Sequence, residues 1–198
     1  RLIGLVVLLL LPLVITNPYY LHIVISIGLY ILLSLSLNLV TGFTGQLALG
    51  HAAFYGLGAY ASALLLLRFG VSYWIALILS AFITGIFGIL LGLPALRLKG
   101  DYLGIVTLGF GEIVRLVLVN WYDLTRGPLG LPGIPAPEIG SYVFDSRVPF
   151  YYLILALVVF TVFFMNKLVN SGVGMAMVTV KEDEIAAESI GIYPIKYK

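Results

Sequence analysis

Two ionisable side chains stand inside an otherwise uncharged stretch of the chain. Residues 102–120 contain Glu112 and Arg115 as their only charged residues, three positions apart. On a helix this spacing places both side chains on one face, where a carboxylate and a guanidinium can neutralise each other. Charged groups at membrane depth turn to the protein interior or to a water path. We interpret Glu112 and Arg115 as an ion pair that fixes packing, in preference to groups that contact a solute directly.

Polar residues also occur in residues 38–60, a stretch that is rich in small residues. Gln46 and His51 lie there among five glycines and four alanines, and Asn38 begins the stretch. Small residues let membrane helices pack closely, and glycines also permit a broken helix that presents backbone groups to a solute. Tight packing is the simpler interpretation. Together with Glu112 and Arg115, these three residues are our candidates for the translocation pathway or its packing.

Several classes of function are excluded by what the sequence lacks. There is no Gly-rich loop ending in Gly-Lys-Ser/Thr, so we expect this chain to bind no ATP in the P-loop manner and no cofactor of its own. Cys is absent, and His22 and His51 fall on different segments, which predicts no metal site. The net charge of +2 gives no argument for nucleic acid. Enzymatic chemistry is not expected.

The elements that position these residues are predicted to be membrane-spanning helices. Of the 198 residues 61% are hydrophobic and 10% are charged, and residues 2–67 contain no Lys, Arg, Asp or Glu. A span needs about 20 apolar residues. The chain is therefore predicted to be an all-α, polytopic transmembrane bundle over residues 1–168, with a re-entrant or broken third segment. Its six apolar segments are 2–16, 19–41, 46–67, 73–96, 102–120 and 149–168.

The distribution of positive charge predicts which end of the bundle is cytoplasmic. If all six segments cross, the loop 121–148 lies outside and the segment 169–198 lies in the cytoplasm. The outer end then holds Arg68, Arg126 and Arg147. The inner end holds the larger set, namely Arg1, Arg97, Lys99, Lys181, Lys196 and Lys198, with Lys167 at its edge.

The inner segment carries the features of a short docking helix over residues 182–190. Acidic residues in the first turn suit a helix N-terminus, and Ala186, Ala187 and Ile190 offer a small apolar face. Gly191 is a plausible C-cap, and Pro194 can begin the next helix. Such a face fits the groove of a partner protein.

Long stretches of the chain resemble the LivM-type permease subunits of branched-chain amino acid ABC transporters. The resemblance rests on Gly-Phe-Thr-Gly-Gln-Leu-Ala-Leu-Gly-His-Ala-Ala-Phe at 42–54, on residues 93–115, on Leu124-Thr-Arg-Gly-Pro-Leu-Gly-Leu-Pro-Gly-Ile-Pro at 124–135, and on residues 182–191. These stretches cover most of the chain from residue 38 onward. Residues 1–37 match in hydrophobicity alone.

The resemblance implies a permease of the type II ABC importer class in the bacterial inner membrane. It would pair with a homologous permease subunit, two cytoplasmic ATPase subunits that hold ATP, and an extracytoplasmic solute-binding protein facing loop 121–148. The coupling role would fall to Glu184, Ala186, Ala187, Glu188 and Gly191, although Ile185 stands where the coupling motif usually has Glu. Family members continue with further spans, so the resemblance also implies that Lys198 marks a truncation.

Three alternatives remain open from the sequence. The same class of importer serves urea, short amides or other amino acids. An ATP-independent secondary transporter or channel would need more ionisable residues in its spans. A structural membrane anchor would leave the Glu112–Arg115 face and the glycine-rich stretch without a purpose.

Overall fold

The computed structural model describes residues 8–13, 15, 17–95, 98, 100–139 and 142–197. Within these residues the chain is helical except for its connecting loops and one short antiparallel hairpin, in which β1 (Glu138–Ile139) pairs with β2 (Tyr142–Val143). The predicted all-α polytopic class is confirmed.

Five of the described helical segments are long and apolar enough to cross a membrane. The first combines α1 (Pro18–Asn38) with a π-helical turn (Leu39–Phe43), and the others are α2 (His51–Phe69), α3 (Tyr73–Ala95), α4 (Asp101–Asn120) and α6 (Arg147–Val169). Most of the predicted segment 2–16 lies outside the described residues. Residues 8–13 of this segment are described and are helical. Also outside the described residues are four residues used to predict sidedness, namely Arg1, Arg97, Lys99 and Lys198.

Helices α1 and α6 run parallel and share a core near their N-terminal ends. This core consists of Leu21, Ile25, Tyr151, Ile154 and Leu155. At Gly28 an added Cβ would come within 2.7 Å of the Ile154 Cγ2 atom, so the missing side chain lets the two helices approach. Close approach through small residues is the usual way in which membrane helices pack.

Helices α2, α3 and α4 form a second group. Phe54 of α2 and Phe110 of α4 bring their rings to 5.4 Å between centroids, in parallel helices. Gly58 of α2 faces Thr84 of the antiparallel α3, where an added Cβ would lie 3.3 Å from the hydroxyl oxygen. Large apolar side chains on the outer faces are exposed, such as Phe82 at 70%, which suits lipid as the surrounding medium.

The loop between α4 and α6, described over residues 121–139 and 142–146, lies at one end of the bundle. It contains α5 (Tyr122–Thr125), a 3₁₀ turn (Gly127–Leu129) and the hairpin. Arg68 Nη2 donates to the Asp123 carbonyl at 2.5 Å, and Trp74 Nε1 donates to the Glu138 carbonyl at 2.7 Å. The α2–α3 turn therefore supports this loop.

The opposite end holds three shorter helices, α7 (Gly172–Glu182), α8 (Glu184–Ser189) and α9 (Pro194–Tyr197). The 11-residue α7 was not predicted. The start of α9 at Pro194 agrees with the sequence prediction. The structure thus separates the loop 121–146 from α7–α9, and the assignment of these ends to the outside and the cytoplasm stays a prediction.

Candidate functional site

The membrane bundle contains a break between α1 and α2. The π-turn closes with a hydrogen bond from Thr44 N to the Leu39 carbonyl at 3.3 Å, and Gln46 N donates to the Val40 carbonyl at 3.2 Å. Residues 44–50, here called the break segment, are not helical, and α2 then runs unbroken from His51 for 19 residues. The third predicted segment, 46–67, was therefore wrong in its start: residues 46–50 are not helical, and the break expected within this segment lies ahead of the helix. π-turns occur frequently at functional sites.

The break segment is held against α4 by Thr107, which is 6% exposed. Leu49 N donates to Thr107 Oγ1 at 3.0 Å, and this hydroxyl donates to the Gly104 carbonyl at 3.0 Å. Gly50 packs directly on the Thr107 carbonyl, and Gly111 approaches the Gly50 Cα. The sequence analysis missed Thr107. Its signal is the small residues at 104, 107 and 111, which share one face of α4.

Among the sequence candidates, His51 and Asn38 make separate packing contacts. His51 Nε2 lies 2.7 Å from Ser36 Oγ, which joins the start of α2 to α1. The Asn38 side chain instead lies over the Cα of Gly42, where an added Cβ would overlap the Asn38 Oδ1 atom. The structure places Gln46 in the break segment, where its backbone amide closes the turn.

Glu112 and Arg115 form the ion pair that their spacing indicates. Arg115 Nε donates to Glu112 Oε2 at 2.9 Å, and Arg115 Nη2 donates to Glu112 Oε1 at 2.6 Å. This two-bond geometry is the strong form of a guanidinium–carboxylate pair. The side chains are nevertheless 61% exposed for Arg115 and 53% for Glu112. The pair lies past the middle of α4, so its exposed face requires a polar surface opposite it within the membrane.

A groove of about 380 Å³ runs beside this pair between α2 and α4. Its floor is made of small residues, among them Gly50, Ala53 and Gly111, and Glu112 and Arg115 contribute to its lining. The break segment and the ion pair thus meet at one groove. His51 and Asn38 contact α1 and its π-turn instead, so the candidates divide over two places.

The family model for the branched-chain amino acid transport system / permease component matches residues 19–198. The chain belongs to this family. Two relatives are high-affinity branched-chain amino acid transport system permease proteins LivM, one from Salmonella typhimurium LT2, 42% identical, and one from Escherichia coli K12, 41% identical. Each match covers 86% of this chain and 45% of the relative, so the chain spans somewhat less than half of their length.

A more distant relative is the probable branched-chain amino acid transport permease protein LivM of Methanocaldococcus jannaschii. It is 26% identical, over 83% of this chain and 57% of the relative. No solved structure gave a significant match. Membership of this permease family agrees with the five membrane-length helices, and the chain is a multi-pass membrane protein.

In this permease-family chain the predicted docking helix is shorter than expected. Glu182 ends α7, and Asp183 caps a new helix by accepting from Ile185 N at 2.8 Å and Ala186 N at 3.1 Å. The predicted helix 182–190 was therefore wrong in its start, because Asp183 is extended and interrupts it. An aspartate side chain at this position replaces the helical hydrogen-bond partners that the first amides lack.

The C-terminal end of α8 agrees with the sequence prediction. Gly191 has φ +83, its amide donates to the Glu188 carbonyl at 3.0 Å, and Ile192 N donates to the Ala187 carbonyl at 3.0 Å. These two bonds make the glycine-terminated ending that is common for helices.

The two alanines of α8 do not share a face. Ala187 is fully buried against its neighbours, whereas Ala186 is exposed. The predicted docking face of Ala186, Ala187 and Ile190 is therefore wrong for Ala187. The exposed apolar residues at this helix are Ile185 at 80% and Ile190 at 68%, outside the membrane-length helices. We call Ile185, Ala186 and Ile190 the α8 outer face.

Proposed function

We propose that this chain is part of the permease subunit of an ATP-driven importer for branched-chain amino acids. The observation that carries the proposal is the exposed Glu112–Arg115 pair beside the small-residue groove. A charged pair at this depth is unfavourable against lipid, so the α2–α4 face turns to a water-filled pathway or to protein. The names of the relatives support branched-chain amino acids as the solute.

The groove suits an amino acid in its chemistry. Leucine, isoleucine and valine carry one ammonium, one carboxylate and an apolar side chain. Glu112 and Arg115 offer the two opposite charges, and the floor of Gly50, Ala53 and Gly111 offers apolar surface. The bidentate pair has to open, or to share its hydrogen bonds, when a zwitterion passes.

ATP hydrolysis in this proposal takes place on two cytoplasmic ATPase subunits, and this chain holds no cofactor of its own. A homologous permease subunit completes the pathway in the inner membrane. The α8 outer face would dock on an ATPase subunit, because Ile185 and Ile190 are large apolar residues exposed outside the membrane. The loop between α4 and α6 would face a solute-binding protein. Ile185 stands where the coupling motif usually has Glu, so we expect an apolar docking contact at this position.

The test is ATP-driven uptake of labelled leucine by the full-length protein, assembled with its partner subunits in proteoliposomes. Arg115→Ala should lose abundance or uptake, because it leaves the Glu112 carboxylate without its counter-ion in a low dielectric. Replacing both charges, with Glu112→Gln and Arg115→Gln, should restore abundance and leave uptake impaired. If the double variant restored uptake as well, the pair would serve packing alone.

The solute is tested in the same assembly. Labelled leucine should accumulate in the presence of ATP, and labelled urea should not. Accumulation of urea, or leucine uptake without the ATPase subunits, would replace this proposal with one of the alternatives. Lys167→Gln, in the last turn of α6 and outside the residues that line the groove, is the matched control for loss of a charge.

A further inference from the structure

The long side chain of Lys181 on α7 contacts the break in the membrane bundle. Its Nζ atom donates to the Gly42 carbonyl at 3.0 Å, across 139 positions of sequence. Its aliphatic part packs on Gly45, where an added Cβ would lie 2.7 Å from Cγ and 3.4 Å from Cβ of Lys181. The contact therefore has a polar and an apolar component.

The Gly42 carbonyl is open to this lysine because of the local backbone. In an α-helix it would accept from the amide of residue 46, but Gln46 N donates to the Val40 carbonyl instead. The π-turn is also the C-terminal end of the α1 segment, where carbonyl groups carry partial negative charge. A lysine ammonium is a suitable cap for such an end.

Lys181 is joined closely to the docking helix α8. One residue, Asp183, separates α7 from α8, and its amide donates to the Thr179 carbonyl at 3.1 Å while its side chain caps α8. Val180 next to Lys181 is 2% exposed, and Ala187 of α8 is fully buried. Because α7 and α8 are joined by these contacts, a displacement of α8 would be passed to the base of Lys181.

We propose that Lys181 is the positioning residue that transmits the movement of α8 to the break segment, and so to the groove between α2 and α4. This inference rests on the proposed importer function. The break segment is contacted at both of its ends: Gly45 and the preceding Gly42 touch Lys181, and Leu49 and Gly50 touch Thr107 on α4. When α8 shifts, the lysine pulls or releases the π-turn end of this segment, and the Thr107 end follows along α4.

The experiment measures leucine uptake and ATP hydrolysis together in the reconstituted full-length importer. Lys181→Met keeps the aliphatic contact and removes the donor, whereas Lys181→Arg keeps a donor. We expect Lys181→Met to lower uptake per ATP hydrolysed by about 5- to 150-fold, the range typical of coupling between sites, and Lys181→Arg to restore most of it. Lys196→Met is the matched control, since Lys196 lies on the same side of the bundle and is exposed.

A second pair of variants tests the apolar component. In Gly45→Ala the new Cβ pushes against the aliphatic part of Lys181. Gly70→Ala is the control: φ is +70 at Gly45 and +61 at Gly70, so both variants carry a similar backbone cost. At Gly70, however, the new Cβ would have no atom within 4 Å. Gly45→Ala should lower uptake per ATP, and Gly70→Ala should not. An unchanged ratio in Lys181→Met, or equal loss of ATP hydrolysis and uptake in that variant, would overturn the inference.

Amide hydrogen exchange separates this inference from the proposed function. In Lys181→Met the amides of residues 42–46 should exchange faster than in the unmodified protein, and those of 184–189 should not. If the unmodified assembly takes up no leucine, the importer proposal fails, and exchange still decides whether Lys181 holds the break segment. Unchanged exchange at 42–46 would overturn the inference by itself.

Discussion

We expect the hydroxyl of Thr107 to hold the break segment against α4. Thr107→Val tests this, because it removes the hydroxyl with little change in side-chain shape. In the native protein this oxygen accepts from Leu49 N at 3.0 Å and donates to the Gly104 carbonyl at 3.0 Å. Valine would leave the Leu49 amide without its acceptor at a buried position, since Thr107 is 6% exposed. The Gly104 carbonyl is less affected, because it retains its partner within α4.

The expected cost follows from this difference. A buried donor that loses its partner costs about 1–3 kcal/mol, and within a membrane few water molecules can replace the acceptor. The folded-to-unfolded ratio should therefore fall by a factor of about 5–150. Thr107→Ser keeps the hydroxyl and loses one methyl group, which costs about 1 kcal/mol.

The assay is unfolding of the full-length protein in mixed micelles, followed by helical circular dichroism. Thr84→Val is the control, because the Thr84 hydroxyl donates at 2.8 Å only to the Ser80 carbonyl of its own helix. We expect Thr107→Val to be less stable than both Thr107→Ser and Thr84→Val. If Thr107→Val and Thr84→Val were equally stable, the Leu49 contact would not hold the break segment and this account of the site would be refuted.

Three further outcomes are expected. Gly50→Ala should destabilise the protein by about 1–3 kcal/mol, because the new Cβ would overlap a carbonyl of α4. Gly56→Ala should not destabilise it, because its Cβ would make an ordinary 3.5 Å contact. Unfolding in micelles compares the two variants. Trp74→Phe removes a 2.7 Å hydrogen bond to the β1–β2 hairpin and should speed protease cleavage between residues 138 and 146 several-fold relative to the unmodified protein, with unchanged cleavage arguing against this support. Ala187→Arg should reduce the amount of protein in the membrane, because Ala187 is fully buried. Ile185→Arg should leave the amount of protein unchanged and reduce leucine uptake at least tenfold. Equal abundance of the two variants would contradict the orientation of α8.

The ion pair constrains how the chain sits among its neighbours. Arg115 and Glu112 neutralise each other, yet more than half of each side chain is exposed on the bundle. For an exposed pair in water this would signify little, because such pairs contribute about 0–1 kcal/mol. In a membrane span the same exposure is costly, so we expect this part of the α2–α4 face to meet protein or water in place of lipid.

The sequence by itself determined the presence of the membrane-length helices, the ion pair and the C-terminal end of α8. These depend on neighbours along the chain: apolar runs of membrane length, a carboxylate and a guanidinium three residues apart, and Gly191 at a helix end that needs positive φ. The membrane strengthens this dependence on the local sequence, because each helix in lipid must satisfy its own backbone hydrogen bonds.

Tertiary structure alone decided which residues hold the break. Thr107 contacts Leu49 across 58 positions and Lys181 contacts Gly42 across 139 positions, and a threonine or a lysine does not by its type identify such a partner. It also decided that Ala187 faces inward and Ala186 outward, because adjacent helical residues differ by about 100° and only packing on neighbouring helices selects the buried one. Long-range contacts depend on how helices pack, and the composition of each helix leaves that arrangement open.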